Sequence, residues 1–260
     1  MRGILRLILL YVILPFMDKN TLKNYFETLG LPLDDSQLSR FLLYNDLLLE
    51  WNSFMNLTSI TEPGEVMVKH FADSCALLMI PELNFNTHAK VIDVGTGAGF
   101  PGIPLKIACP SLDITLLDSL NKRVNFLNEV IARLGLTGIR AIHARAEDGA
   151  RDKTLRESFD YAASRAVANM STLSEYCLPF VAQGGSFLAW KSGEFLETGE
   201  GSEASSCSNA LKLLGGSTPE VFRYELKGSD LTRCIASVRK ASATPSRYPR
   251  KAGTAAKQPL

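Results

Sequence analysis

The chain has 260 residues, enough for one large domain or two small ones and for a sizeable buried core. Its 46% hydrophobic and 21% charged residues exclude wholesale disorder, and five cysteines without a CxxC pair plus three scattered histidines build neither a disulfide framework nor a zinc site. A formal net charge of +1 hides a division: residues 223–260 carry nine Lys+Arg against two acids, and the other 222 residues carry nineteen against twenty-five.

The first seventeen residues stand apart. Leu7 to Met17 (LILLYVILPFM) is apolar and follows Arg2 and Arg6, but it falls short of the about 20 residues that span a bilayer. No small-residue cleavage site follows it. Residues 1–17 therefore read as an extension, with Met17 as an alternative start and no stable membrane association. Leu22, Tyr25, Phe26 and Leu29 then recur at helical spacing, and Gly30 and Pro32 end that helix. Ser36 starts a second helix through Trp51, FMNLTSITEP reads as a loop, and Glu65 to Leu78 as a third helix. Residues 18–88 form a helical cap.

At Lys90 the pattern changes. AKVIDVG, LDITLLD, GIRAIHA, FDYAASR and GGSFLAWK read as strands alternating with helices. Pro101 and Pro104 suit a first helical turn, Ser119 can cap the next helix, and Thr172 with Glu175 matches a capping box. The fold class is α/β, a mostly parallel Rossmann-like sheet over residues 89–240. VFRYEL and CIASVRK fit an antiparallel edge hairpin joined by a short turn. Residues 241–260 read as an extended, mobile basic tail. A basic terminus suits phosphate contact through counterion release, with solubility as the plainer reading.

The informative stretch is VIDVGTGAGFPGIPL. Gly95, Gly97 and Gly99 let the backbone turn tightly beside a ligand, and Gly97, Gly99 and Gly102 complete G-x-G-x-x-G. That spacing alone permits a nicotinamide, a flavin or S-adenosylmethionine (AdoMet). Asp93 at the strand end would repel a pyrophosphate and welcome a sulfonium and an ammonium group. Asp118 after the second strand is placed for ribose hydroxyls, and Ala146 and Glu147 after the third would flank adenine. A cationic cofactor in an acid-rimmed pocket accounts for the set; solvated strand ends are the bland alternative.

The segments DVGTGAGFPGIPL, LLDSLNKRVNFL, ARAE and SRA, with upstream WNSFMNLTSI and KHFADS and the tail RYPRKAGTAAK, together resemble the bacterial RsmG (GidB) family. The resemblance runs from about Met17 to the end and is weakest from Gly193 to Asn209. It implies an AdoMet-dependent class I methyltransferase acting on guanine N7 in the 530 loop of 16S rRNA, with the 30S subunit as partner; the cysteine usage makes a reduced cytoplasmic compartment the default, and monomer is the default state. By position, the family's cofactor contacts fall on Gly95, Phe100, Ala146, Glu147 and Arg165. Phe100 stands where an aliphatic residue is common. Arg165 suits the methionine carboxylate, an RNA phosphate or a structural ion pair.

Guanine N7 already has a free lone pair, so no general base is required and positioning supplies the rate. His70, Asp73 and Lys191 are positioning candidates, and Asn56 and Thr58 share the cap signature with the first two. His70 and Asp73, one turn apart, could also simply pair. Lys122, Arg123, Arg247, Arg250 and Lys251 are candidates for RNA phosphates, and Trp190 and Phe100 could stack on a base. Cys177 reads as core. Two other functions stay open from residues alone: a nicotinamide or flavin oxidoreductase, and a non-enzymatic RNA-binding regulator with a vestigial pocket.

Overall fold

Local capping chemistry starts the chain's first helices. The computed structural model describes residues 17–81, 88–165, 168–196, 202–229 and 232–260; apart from Met17, the apolar extension lies outside them. The Asp18 carboxylate accepts the Thr21 N–H and opens α1, Lys19–Thr28. A reciprocal capping box between Asp34 and Gln37, rather than Ser36, opens α2, Asp35–Met55. This helix takes in Phe54 and Met55, expected in a loop, and ends at Asn56 in the left-handed region (φ 51°). The third helix, α3 (63–79), contains a π-helical stretch, Met67–Ala72, that carries Lys69 and His70. Such widened turns are frequent at functional sites.

Among the described residues seven strands follow: β1 Lys90–Val94, β2 Asp113–Asp118, β3 Ile139–His143, β4 Phe159–Arg165, β5 Val181–Ser192, β6 Glu220–Tyr224 and β7 Arg233–Arg239. Their order is β3-β2-β1-β4-β5-β7-β6. The first five are parallel, and β7 runs antiparallel to both β5 and β6. This is the α/β sheet with an antiparallel edge that the strand pattern implied, although the sequence separation from Tyr224 to Arg233 exceeds a tight turn. The order reverses between β1 and β4, so their carboxyl ends diverge and leave a crevice.

Two capping expectations fail. The helix after β2, α5 (Asn121–Arg133; α4 is Gly102–Ala108), has no cap from Ser119; Asp118 accepts the Leu120 N–H instead, at 2.9 Å. After α6 (Ala146–Gly149), helix α7 (Met170–Cys177) begins before Thr172, because Asn169 accepts the Thr172 N–H. Glu175 is thereby free for a distant partner.

That partner is in the tail. Residues 241–260 are docked, not mobile: Arg250 donates to both Glu175 oxygens, with a closest approach of 2.6 Å. Arg156 donates to the Thr244 and Tyr248 carbonyls, and Gly253 N–H to Glu147. Tyr248 and Ala255 are buried. A short chain with four basic residues folds back because a buried Glu175 carboxylate awaits Arg250 and the guanidinium donors of Arg151 and Arg156 await the tail's own carbonyls. The cap is equally integrated: Phe26, Phe41, Tyr44 and Phe71 share one buried cluster with Val91 and Leu116 of the sheet and Ile103 of the helix Gly102–Ala108.

Candidate functional site

The crevice at the carboxyl ends of the strands holds a cavity of about 740 Å³, within the about 300–1,000 Å³ typical of small-molecule sites. Its floor is Gly95–Ala98, its sides are the ends of β2, β4 and β5, and its roof is the cap from Leu57 to Asp73. Gly95 and Gly97 have φ of +73° and +61°. A Cβ on Gly97 would meet nothing nearer than the Gly95 carbonyl at 4.0 Å, so the missing side chain leaves room on the cavity side. Gly99 is different: a Cβ there would come within 2.5 Å of Ile103 Cδ1 and 2.8 Å of Tyr44 Oη. That glycine serves packing of loop against cap, as the Tyr44 hydroxyl donating to the Ala98 carbonyl does.

Asp93 is fully buried and braces the loop rather than lining the cavity. Its Oδ2 accepts the Thr96 hydroxyl at 2.6 Å and the Gly102 N–H at 2.8 Å, while Oδ1 has no hydrogen-bond partner. Burial pushes this carboxyl up to about 7. Asp118 does reach the wall: Oδ2 accepts the Gly97 N–H at 2.9 Å, with Arg123 at 3.5 Å. Glu147 is buried and engaged by Gly253, and neither it nor Ala146 is on this cavity's wall. Among the described residues the wall is therefore not acid-rimmed. Lys69, Arg123, Arg165, Lys191 and Arg233 outnumber Asp73, Asp118 and Glu203 there.

Arg165 organises the roof. One Nη donates to Asp73 Oδ2 at 2.8 Å and to the Lys69 carbonyl at 2.9 Å; the other donates to His70 Nδ1 at 3.1 Å. Its guanidinium lies 4.9 Å from the Phe100 ring centre, and the His70 ring stacks on Phe100 at 4.4 Å. His70 and Asp73 thus both bind Arg165 instead of pairing with each other. Burial and, next, the Arg165 charge pull the His70 ring down to about 3. Asp73 also accepts the Tyr224 hydroxyl at 2.7 Å, its carbonyl accepts the Trp190 indole N–H, and Arg233 stands 3.8 Å away. Trp190 is buried at the cavity wall.

Lys191 is paired with Glu203 and also donates to the Ala168 carbonyl. Lys122, Arg247 and Lys251 are exposed, with Arg247 over the Tyr248 ring, whereas Arg250 is committed to Glu175. Tyr44, Tyr224, Arg233 and Glu203 were not apparent from sequence. Tyr224 and Arg233 face each other only through hairpin register, and no local motif marks them. All five cysteines are free, and burial holds the Cys177 thiol well above its ordinary value. Among the described residues no helix is long and apolar enough to cross a membrane.

The GidB family model, described as rRNA small subunit methyltransferase G, matches residues 37–214. Two proteins named Ribosomal RNA small subunit methyltransferase G extend the match. That of Lachnoclostridium phytofermentans is 49% identical over 243 residues, covering 94% of this chain and 98% of its own. That of Clostridium perfringens is 47% identical over 239 residues, covering 92% and 97%. Among solved structures, an SAM-dependent methyltransferase from Aquifex aeolicus aligns with a TM-score of 0.50 at 16% identity, over 70% of this chain and 96% of that one. The methyltransferase SibL in its apo form gives 0.51 at 18%, over 65% and 55%. These distant likenesses establish the class I methyltransferase fold, and the close relatives displace the oxidoreductase alternative. With its glycine floor, basic wall and near-complete match to those relatives, the chain belongs to the rRNA small subunit methyltransferase G family.

Proposed function

We propose that this methyltransferase moves the methyl group of AdoMet to N7 of a guanine in the 530 loop of 16S rRNA, acting as a monomer on the 30S subunit in the cytoplasm. The observation that carries the reading is the cavity itself, with a glycine floor and Asp118 on one side and a cluster of cations on the other. When bound, AdoMet supplies a methyl group on a sulfonium, already activated for attack.

The residues present fit that cofactor. Gly97 leaves a cradle that a Cβ would fill, and the Asp118 oxygens retain lone pairs for ribose hydroxyls. Gly95 and Gly97 shape the floor and Phe100 lines the cavity against His70, while Asp93 braces the loop and Gly99 packs it against the cap. Ala146 and Glu147 are assigned to the adenine end through the family resemblance. Arg165 is held by Asp73 and His70, so it enters the reaction as a fixed charge beside the cavity.

The chain needs no proton acceptor for attack by a lone pair, and His70 offers none: its Nδ1 already accepts from Arg165. What its residues would contribute is the orientation of the base toward the methyl group. Lys69, Arg123 and Arg233 suit the phosphates flanking the target, which position RNA without reading sequence.

The test is transfer of labelled methyl from AdoMet to 30S subunits lacking N7 methylation, followed by borohydride and aniline cleavage and primer extension. A stop at one guanine in the 530 loop is expected. Label at another nucleotide would keep the methyltransferase and discard this target.

A further inference from the structure

Thr58 lies in the loop between α2 and α3, at the roof of the cavity. Its backbone N–H donates to Asn52 Oδ1 of α2 at 2.9 Å, and the left-handed residue Asn56 turns the chain to permit this. Its hydroxyl oxygen accepts the Ile60 N–H at 3.0 Å, closing a local turn, and lies 2.8 Å from His70 Nε2.

The direction of that second bond follows from the ring's other side. Arg165 has donors only and stays protonated, so His70 Nδ1, 3.1 Å from it, must accept. A neutral ring carries one proton, which is then on Nε2 and is donated to Thr58. The neutral form agrees with the depressed value of about 3 for His70. Thr58 Oγ1 thus receives two hydrogen bonds and has filled both acceptor positions. What remains is its single O–H, on a cavity-lining residue, able only to donate.

Resting on the guanine-N7 reading above, we infer that the Thr58 hydroxyl reads the target base by donating to guanine O6. On its major-groove edge guanine presents N7 and O6, both acceptors, whereas adenine places an N6 donor beside N7. A hydroxyl locked as a donor accepts the first edge and meets the second donor to donor. The sequence Arg165 to His70 to Thr58 is therefore a chain of hydrogen bonds that sets the polarity of the reading group. Arg165 and His70 act through Thr58 as positioning residues. Phe100, stacked on His70, holds the ring plane.

The test compares wild type, Thr58→Val and Thr58→Ser on 30S subunits reconstituted with 16S rRNA carrying either guanine or 2-aminopurine at the target. 2-Aminopurine keeps N7 and lacks O6. Wild type and Thr58→Ser should lose about tenfold in kcat/KM when O6 is removed, the scale of one buried hydrogen bond. Thr58→Val should be about tenfold slower on guanine and nearly indifferent to the base change, a coupling that a structural role does not produce. AdoMet affinity and Tm are followed in parallel, and Thr58→Ala replaces Thr58→Val should the latter fail to fold. Equal losses in Thr58→Val on both bases, or an unchanged rate on guanine, would overturn the inference while leaving the guanine-N7 activity standing. A wild type that methylates neither substrate at N7 would overturn both.

Discussion

Asp73 and Arg165 form a 2.8 Å ion pair that joins the helical cap to the carboxyl end of β4, with both side chains largely withdrawn from water. The same carboxylate takes the Tyr224 hydroxyl through its other oxygen. One acid therefore ties together the cap, the parallel sheet and the antiparallel edge around the cavity. An arginine that would otherwise be a mobile ligand for phosphate or carboxylate is given one position.

Removal of that acid should be expensive. Asp73→Ala leaves the Arg165 guanidinium buried without its counter-charge and Tyr224 without its acceptor. We expect a loss of about 3–5 kcal/mol in unfolding free energy, the scale for breaking a buried pair from one side. Urea denaturation measures it. A loss under about 1 kcal/mol would show that Lys69 and His70 alone suffice to hold Arg165.

The two glycines of the loop should separate by phenotype. Gly97→Ala incurs the left-handed backbone penalty of about 1–2 kcal/mol, with open space around the new methyl. Its main effect should be weaker AdoMet binding by calorimetry. Gly99→Ala drives a methyl into Ile103 and Tyr44 as well, and should mainly lower Tm. Equal effects of the two on both measurements would contradict this division.

Two buried groups should oppose each other in pH dependence. His70 falls from 6.5 to about 3 on folding and Asp93 rises from 3.8 to about 7. Between pH 3.8 and 6.5 the unfolded chain carries the proton on the histidine, and the folded chain carries it on the aspartate. The pair therefore binds equal protons in both states and contributes no slope in that window. Asp93→Asn should expose the histidine alone, with stability falling as pH drops from 6.5, by about 1.4 kcal/mol per unit relative to wild type. His70→Gln should show the reverse, stability falling as pH rises from about 4 to about 7. Urea midpoints across pH 4–7 test both signs.

The docked tail should act as a structural strap. Arg250→Ala strands the Glu175 carboxylate, which is almost fully buried, and should cost about 3 kcal/mol. By releasing the backbone around the already exposed Lys251 and Lys257, it should also let trypsin cleave there well before the rest of the chain. Tail cleavage no faster than in wild type would mean that the carbonyl contacts of Arg156 and Arg151 hold it unaided.

Much of this architecture was legible because it depends on near neighbours. Apolar runs bounded by turn residues marked the strands of a parallel sheet, and three glycines after β1 marked a backbone shaped for close approach. Helix starts were less legible where competing caps stood close together: Asp34 prevailed over Ser36, and Asn169 over Thr172. Charge was the hardest to place. Asp93 and Asp118 stand at strand ends and Glu147 in the short helix after β3, yet only Asp118 of the three reaches the cavity wall. The others are taken up by backbone N–H groups from Gly102 and Gly253.

By itself the sequence determined the order of strands and helices, the glycine floor and the family motifs, all properties of residues a few positions apart. Tertiary structure alone decided which charges are spent. Arg165 meets Asp73 across 92 positions and Arg250 meets Glu175 across 75. A side chain leaves water only for a partner in reach, and reach is set by how distant segments pack.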